Sequence, residues 1–150
     1  MSTRCNIVIK DDKIGGVIPL YCHFDGYISY QGVGVGEELF QHFNTKEKVS
    51  EIKHKDMIGI DSGEIEYYTA APDDEIEPYD SIDSYMYSMK GNIMIEYIYY
   101  WDGEIWKVSE MHDLKVPDKE SMYYDVQVSL YTKFLPLDKE IEDHRFKYEK

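Results

Sequence analysis

The stretch Asn92-Ile93-Met94-Ile95-Glu96-Tyr97-Ile98-Tyr99-Tyr100-Trp101, followed by Asp102-Gly103 and then Ile105-Trp106-Lys107-Val108, decides the fold class. Its β-branched and aromatic side chains suit a pleated surface that is covered by other elements. Asp-Gly between two such runs is a strong local signal for chain reversal. The segment therefore reads as a β-hairpin with its turn at Asp102-Gly103.

Other segments extend the pattern. Cys5-Asn6-Ile7-Val8-Ile9-Lys10 and Val17-Ile18-Pro19-Leu20-Tyr21-Cys22-His23-Phe24 read as two strands around the turn chemistry of residues 11–16, giving an N-terminal hairpin. Pro19 cannot donate to a ladder and is placed on an edge or near the strand start. The alternating glycines Gly32, Gly34 and Gly36 are followed by no Gly-Lys-Ser/Thr and do not form G-x-G-x-x-G, so they read as a flexible lead-in to a helix. Leu39, Phe40 and Phe43 have the spacing of one helical face. A second helix is expected over about 45–55, capped near Asn44-Thr45 and burying Val49 and Ile52. Residues 64–69 alternate as a short strand, and 71–78, with four acids and two prolines, read as an exposed loop. A helix over 80–89 starts at Asp80 or Ser81, and residues 122–134 form another long strand. The charged tail from Asp138 reads as a short helix or a frayed end. The order β-β-α-α-β-α-β-β-β predicts an α+β fold: a mostly antiparallel sheet with two or three helices, in one domain spanning 1–150.

Charge narrows the function classes. The chain has 16 Lys+Arg against 30 Asp+Glu, a formal charge of −14, which disfavours direct binding to nucleic acid or an anionic membrane. Residues 58–106 hold one basic residue, Lys90, and 12 acidic ones, together with eight of the 15 tyrosines. Acids and tyrosines of this kind either keep a half-buried sheet soluble or form an acidic, aromatic face for a basic partner. Two cysteines, Cys5 and Cys22, fit a reducing cytosol, and the N-terminal residues lack the pattern of a secretory signal. No apolar run is long enough to span a bilayer. The expected location is the cytoplasm of a bacterial host.

The opening Met1-Ser2-Thr3-Arg4-Cys5-Asn6-Ile7, with Tyr21-Cys22-His23-Phe24-Asp25-Gly26-Tyr27, resembles a family of small uncharacterised proteins of phages and bacterial mobile elements. Those proteins typically open Met-Ser-Thr-Arg-Ser-Asn-Ile and continue into Tyr-Cys-His-Trp-Asp-Gly-Tyr-Pro. Thr45-Lys46-Glu47-Lys48-Val49 and the Tyr-rich strand ending at Asp102-Gly103 also match. The resemblance covers about residues 1–57 and, more loosely, 92–108, and it departs at Cys5, Phe24 and Ile28. It implies a fold class and a phage-like context and assigns no catalytic residue.

Candidate chemistry is sparse. Neighbouring strand residues diverge, so Cys22 and His23 cannot form a dyad, whereas His23 and Asp25 should share a face. Arg4, His23, Asp25 and Tyr27 are the candidate ligand-binding set, either fixing a turn or contacting phosphate and base. The five histidines are scattered without metal-ligand spacing, and Asp73-Asp74-Glu75-x-Glu77 lacks the EF-hand's glycine and terminal glutamate, so neither metal nor cofactor is expected. Two functions follow. The first is a non-catalytic inhibitor of a basic host protein, such as a nucleic-acid-binding defence effector of the CRISPR type. Its binding face would be Asp73, Asp74, Glu75, Glu77, Asp80 and Asp83, with Tyr97, Tyr99 and Trp101 as anchors. The second is a small-ligand or nucleotide-binding protein, a sponge or weak hydrolase, that uses Arg4, His23 and Asp25.

Overall fold

A computed structural model describes residues 3–68, 76–92, 94–117 and 125–148. Strands β1 (Cys5–Asp11) and β2 (Gly16–Cys22) form the expected N-terminal hairpin, paired from Cys5 opposite Cys22 to Asp11 opposite Gly16. Helices α1 (Val35–His42) and α2 (Lys46–Ser50) follow, then a second hairpin of β3 (Met57–Asp61) and β4 (Glu64–Tyr67). Next come α3 (Ile82–Ser88), β5 (Tyr97–Trp101), β6 (Trp106–Pro117), β7 (Asp125–Tyr131), β8 (Leu135–Pro136) and α4 (Leu137–Tyr148).

The strands form one sheet in the order β4-β3-β2-β1-β5-β6-β7, with β8 pairing on β6. The fold is α+β and the sheet is mostly antiparallel, with parallel junctions at β1–β5 and β2–β3. Helices lie on both faces. Ile7, Ile9, Leu20, Cys22, Tyr99 and Trp101 pack on one side beneath Leu39, Phe43, Val49 and Ile141. Val8, Val17 and Ile98 pack on the other against Tyr85 and Met89. Strands β1, β2 and β5 are therefore covered on both faces, and each large apolar side chain buried there contributes about 1.5–3 kcal/mol.

The differences from expectation have local causes. Strand β5 starts at Tyr97 rather than 92 because the Asn92 side chain accepts hydrogen bonds from the Met94 and Ile95 N–H groups (2.8 and 3.1 Å), a turn that competes with a ladder. Asp102 Oδ1 accepts from the N–H groups of Glu104 and Ile105 (2.8 and 2.9 Å), so the turn runs over four residues and Trp101 pairs with Trp106. Helix α2 is shorter than expected. Its last turn tightens to Glu51 N–H on Lys48 O and Ile52 N–H on Val49 O, which carries Ile52 into the core. Phe40, one of the three apolar residues expected on a single face of α1, is exposed. Strand β3 has no counterpart in the expected order, and the tail forms a twelve-residue helix. Ser81 caps α3 by accepting from Ser84 N–H at 3.1 Å.

Pro19 sits where β2 lacks a flanking strand. Strand β3 meets β2 only at Cys22 opposite Met57. Earlier outward-facing N–H groups bond elsewhere: Val17 to Tyr79 O (2.9 Å) and Tyr21 to the Asp56 carboxylate (3.1 Å). A residue without an N–H costs nothing between them. Among the described residues, no helix is long and apolar enough to cross a membrane.

Candidate functional site

The residues Arg4, His23, Asp25 and Tyr27 separate into two groups. Tyr21 and His23 share a hydrogen bond of 2.6 Å between the phenol and Nδ1, and the His23 ring stands edge-on to Phe24 with centroids 4.5 Å apart. Burial raises the Tyr21 pKa while the neighbouring Arg4 guanidinium opposes the rise, which links Arg4, Tyr21 and His23 into one polar chain. Asp25 belongs elsewhere. Its backbone is left-handed (φ 58°), its carbonyl accepts from Val35 N–H at 2.8 Å, and its carboxylate faces Tyr27, whose pKa is raised by burial and then by that charge. No hydrogen bond joins His23 to Asp25 among the described residues. Strand β2 ends at Cys22 and Asp25 has a positive φ, so the alternation of a strand does not extend over this pair. Cys22 lies fully buried opposite Cys5, and burial pushes the Cys5 thiol well up.

Two of the expected anchors are core residues. Tyr99 is 0% and Trp101 3% exposed, because β5 lies between β1 and β6 with a helical layer on each face. The Tyr99 hydroxyl donates to Gly26 O at 2.7 Å inside the protein. Neither can anchor a surface partner. Tyr97 is half-buried in the same row. Asp73, Asp74 and Glu75 lie outside the described residues, while Glu77, Asp80 and Asp83 are exposed beside the start of α3.

The structure instead builds an acidic cleft of about 580 Å³ where the end of β2 meets the β3–β4 hairpin. Asp25, Asp61, Glu64 and Glu66 line it with the apolar Ile58, Ile60 and Ile65. Phe24, 45% exposed, stands against Gly59, where an added Cβ would lie 3.7 Å from the Phe24 Cβ. Among the described residues, the cleft lining contains no Lys or Arg. Ser62 (φ 53°) and Gly63 (φ 80°) both take the left-handed conformation that a two-residue hairpin turn needs. Helix α1 holds that turn from below: the Glu38 carboxylate accepts from both Ser62 N–H and Gly63 N–H at 2.9 Å, with His42 Nε2 3.6 Å away. The pair Ser62-Gly63 between two short apolar-polar runs was the available signal for this hairpin.

Comparison with protein-family models, with curated proteins and with solved structures finds no match. The chemistry must come from the side chains themselves. Among the described residues, no three His, Cys, Asp or Glu side chains are grouped to hold a metal ion. The four carboxylates are thus spread along the cleft rather than focused on one point. That spacing suits an extended cationic ligand more than a single ion. Among the described residues, strand β4 is also the last strand of the sheet at this end, an edge of the kind that can take an added strand.

Proposed function

We propose that the protein is a non-catalytic binding protein whose acidic cleft and β4 edge engage a basic segment of a host protein. The observation that carries this reading is the cleft itself: four carboxylates and an exposed phenylalanine at a sheet edge, with no Lys or Arg among the described lining residues. Glu64 and Glu66 would repel a second copy of β4 while attracting a strand rich in Lys or Arg. Asp80 and Asp83 lie apart from this cleft, since Tyr79 pairs with Val17 at the other end of β2.

The partner class we propose is a nucleic-acid-binding defence effector in the cytoplasm of a bacterial host. Carboxylates pair with guanidinium groups in the same two-pronged geometry as phosphates, so an acidic face can occupy a channel built for nucleic acid. Complementary charge would also accelerate association. The resemblance of the N-terminal third to phage proteins supports this choice of partner. The engagement of His23 by Tyr21 and the burial of Cys22 support binding over turnover.

The test is capture from a bacterial host lysate on immobilised protein, beside a variant carrying Asp61→Lys, Glu64→Lys and Glu66→Lys. Each exposed acid should cost the fold within roughly 0.5 kcal/mol. Wild type should retain a basic nucleic-acid-binding protein and release it as salt rises or duplex DNA is added, and the variant should not retain it. Equal capture by the variant, with unchanged salt dependence, would sink the proposal.

A further inference from the structure

Strand β4 has one open edge and two faces of opposite chemistry. The tight turn at Ser62-Gly63 makes Asp61 and Glu64 the hydrogen-bonded pair that closes the β3–β4 hairpin, and Glu66 opposite Gly59 is the next such pair. Tyr68 N–H keeps the same phase by bonding inward to Asp56 O at 3.3 Å. The backbone N–H and C=O groups of Ile65 and Tyr67 therefore point away from β3. They bond to no described residue.

Side chains alternate along the same strand. Glu64 and Glu66 are exposed and share a face with Asp61, and Phe24 stands over Gly59 in that row. Ile65 and Tyr67 take the other face, half-buried against the main core. Cations gather on that second face. Lys53 N–H donates to the Tyr67 hydroxyl at 2.9 Å, and Lys53 Nζ lies 5.8 Å from the Tyr67 ring centroid. Burial raises the Tyr67 pKa, while the Lys53 N–H and then the Lys55 charge oppose the rise.

We propose that the acidic cleft selects an extended partner segment in which basic and apolar residues alternate, added to β4 as a further strand of the sheet. This deepens the function proposed above and rests on it. The segment's main chain bonds to the outward groups of Ile65 and Tyr67. Its residues level with Glu64 and Glu66 fall on the acidic face and are Arg or Lys. Its residues level with Ile65 and Tyr67 fall on the other face, where they extend the apolar cover and are kept uncharged by Lys53 and Lys55. A run of consecutive basic residues would set cations against those lysines and is the poorer ligand. A second copy of β4 would set Glu against Glu.

The experiment uses the full chain at 0.15 M salt and three capped nine-residue peptides. Two have the same composition, Arg with Val and Thr: in one the Arg residues alternate with the others, and in the second they are consecutive. The third is the alternating peptide with Glu in place of Arg. The alternating Arg peptide should bind at least about tenfold tighter than the consecutive one, since several cross-strand pairs are gained together, and the Glu peptide should not bind. Binding should slow hydrogen exchange chiefly at the Ile65 and Tyr67 amides, because those of Glu64 and Glu66 already face β3. The variant Glu64→Lys with Glu66→Lys should keep the wild-type melting curve, both side chains being exposed, and should prefer the Glu peptide instead. The proposal is overturned if no peptide shifts the amides of residues 59–67, or if the consecutive peptide binds as tightly as the alternating one. It is equally overturned if the Ile65 and Tyr67 amides gain no protection, or if the variant keeps the preference for Arg. Salt-sensitive capture from lysate alongside any of these results would leave the broader acidic-cleft reading in place, so the two fail separately.

Discussion

Replacing Arg145 by Ala should unlock the C-terminal helix from the first. Glu37 is 1% exposed, yet it is a carboxylate with four donors: Arg145 Nε on Oε1 at 2.7 Å, Arg145 Nη2 on Oε2 at 2.6 Å, Ser29 Oγ at 2.7 Å and Gln41 Nε2 at 2.8 Å. Burial alone would raise its pKa, but these hydrogen bonds outweigh that and hold it below its ordinary value. Stripping one partner from a buried ion pair costs about 3–5 kcal/mol. The Arg145 side chain is 47% exposed, so water replaces part of what is lost, and Ser29 and Gln41 still donate. The expected loss is therefore about 2–3 kcal/mol, or roughly 5–10 °C in melting temperature for a chain of this size.

Urea denaturation followed by circular dichroism, repeated across pH, measures this loss. A carboxyl whose folded pKa is depressed contributes stability above its unfolded value, and loses that contribution as pH falls through the folded value. The gap between wild type and variant should thus be full at neutral pH and close below 4.5, the ordinary value for a glutamate. The double variant Glu37→Gln/Arg145→Met leaves no buried charge and should recover at least half of the loss. A single variant within about 0.5 kcal/mol of wild type at pH 7, or a gap that does not change with pH, would refute the reasoning.

Gly36→Ala should destabilise by about 1–3 kcal/mol, because the new Cβ would collide with the Ile28 backbone; an unmoved urea midpoint would contradict this. Tyr99→Phe should cost about 1–2 kcal/mol by leaving Gly26 O without its buried donor, again read from the midpoint. Tyr85 and Tyr99, both pushed up by burial, should stay protonated past the ordinary phenol value of 10.0. Their contribution to stability is present below that pH and lost as pH rises above it. Absorbance at about 295 nm should therefore show at least these two phenols titrating late, as the far-ultraviolet signal collapses. Simultaneous titration of every tyrosine in an intact fold would count against the packing described.

Local chemistry was enough for the α+β class, the two hairpins β1–β2 and β5–β6, and a start of α3 at Asp80 or Ser81, of which the structure uses Ser81. Those features depend on alternation, turn residues and caps that act over two to four neighbouring positions. Strand β3 was not legible because Met57–Asp61 is short and has Gly59 at its centre, and it becomes a strand only by pairing with β4 and the end of β2. The parallel pairing of β1 with β5 joins residues more than 90 positions apart, and no local pattern encodes it. That pairing, with helices on both faces, is what buries Tyr99 and Trp101, so the aromatics expected at a surface fill the core instead. Of the acidic face, the sign of the charge was readable by counting, but its focus at Asp25, Asp61, Glu64 and Glu66 was not. Glu37 meets Arg145 across 108 residues. Sequence alone determined what each segment prefers. Only the tertiary structure decided which segments meet, because contacts between distant residues depend on how the sheet closes rather than on any one residue's neighbours.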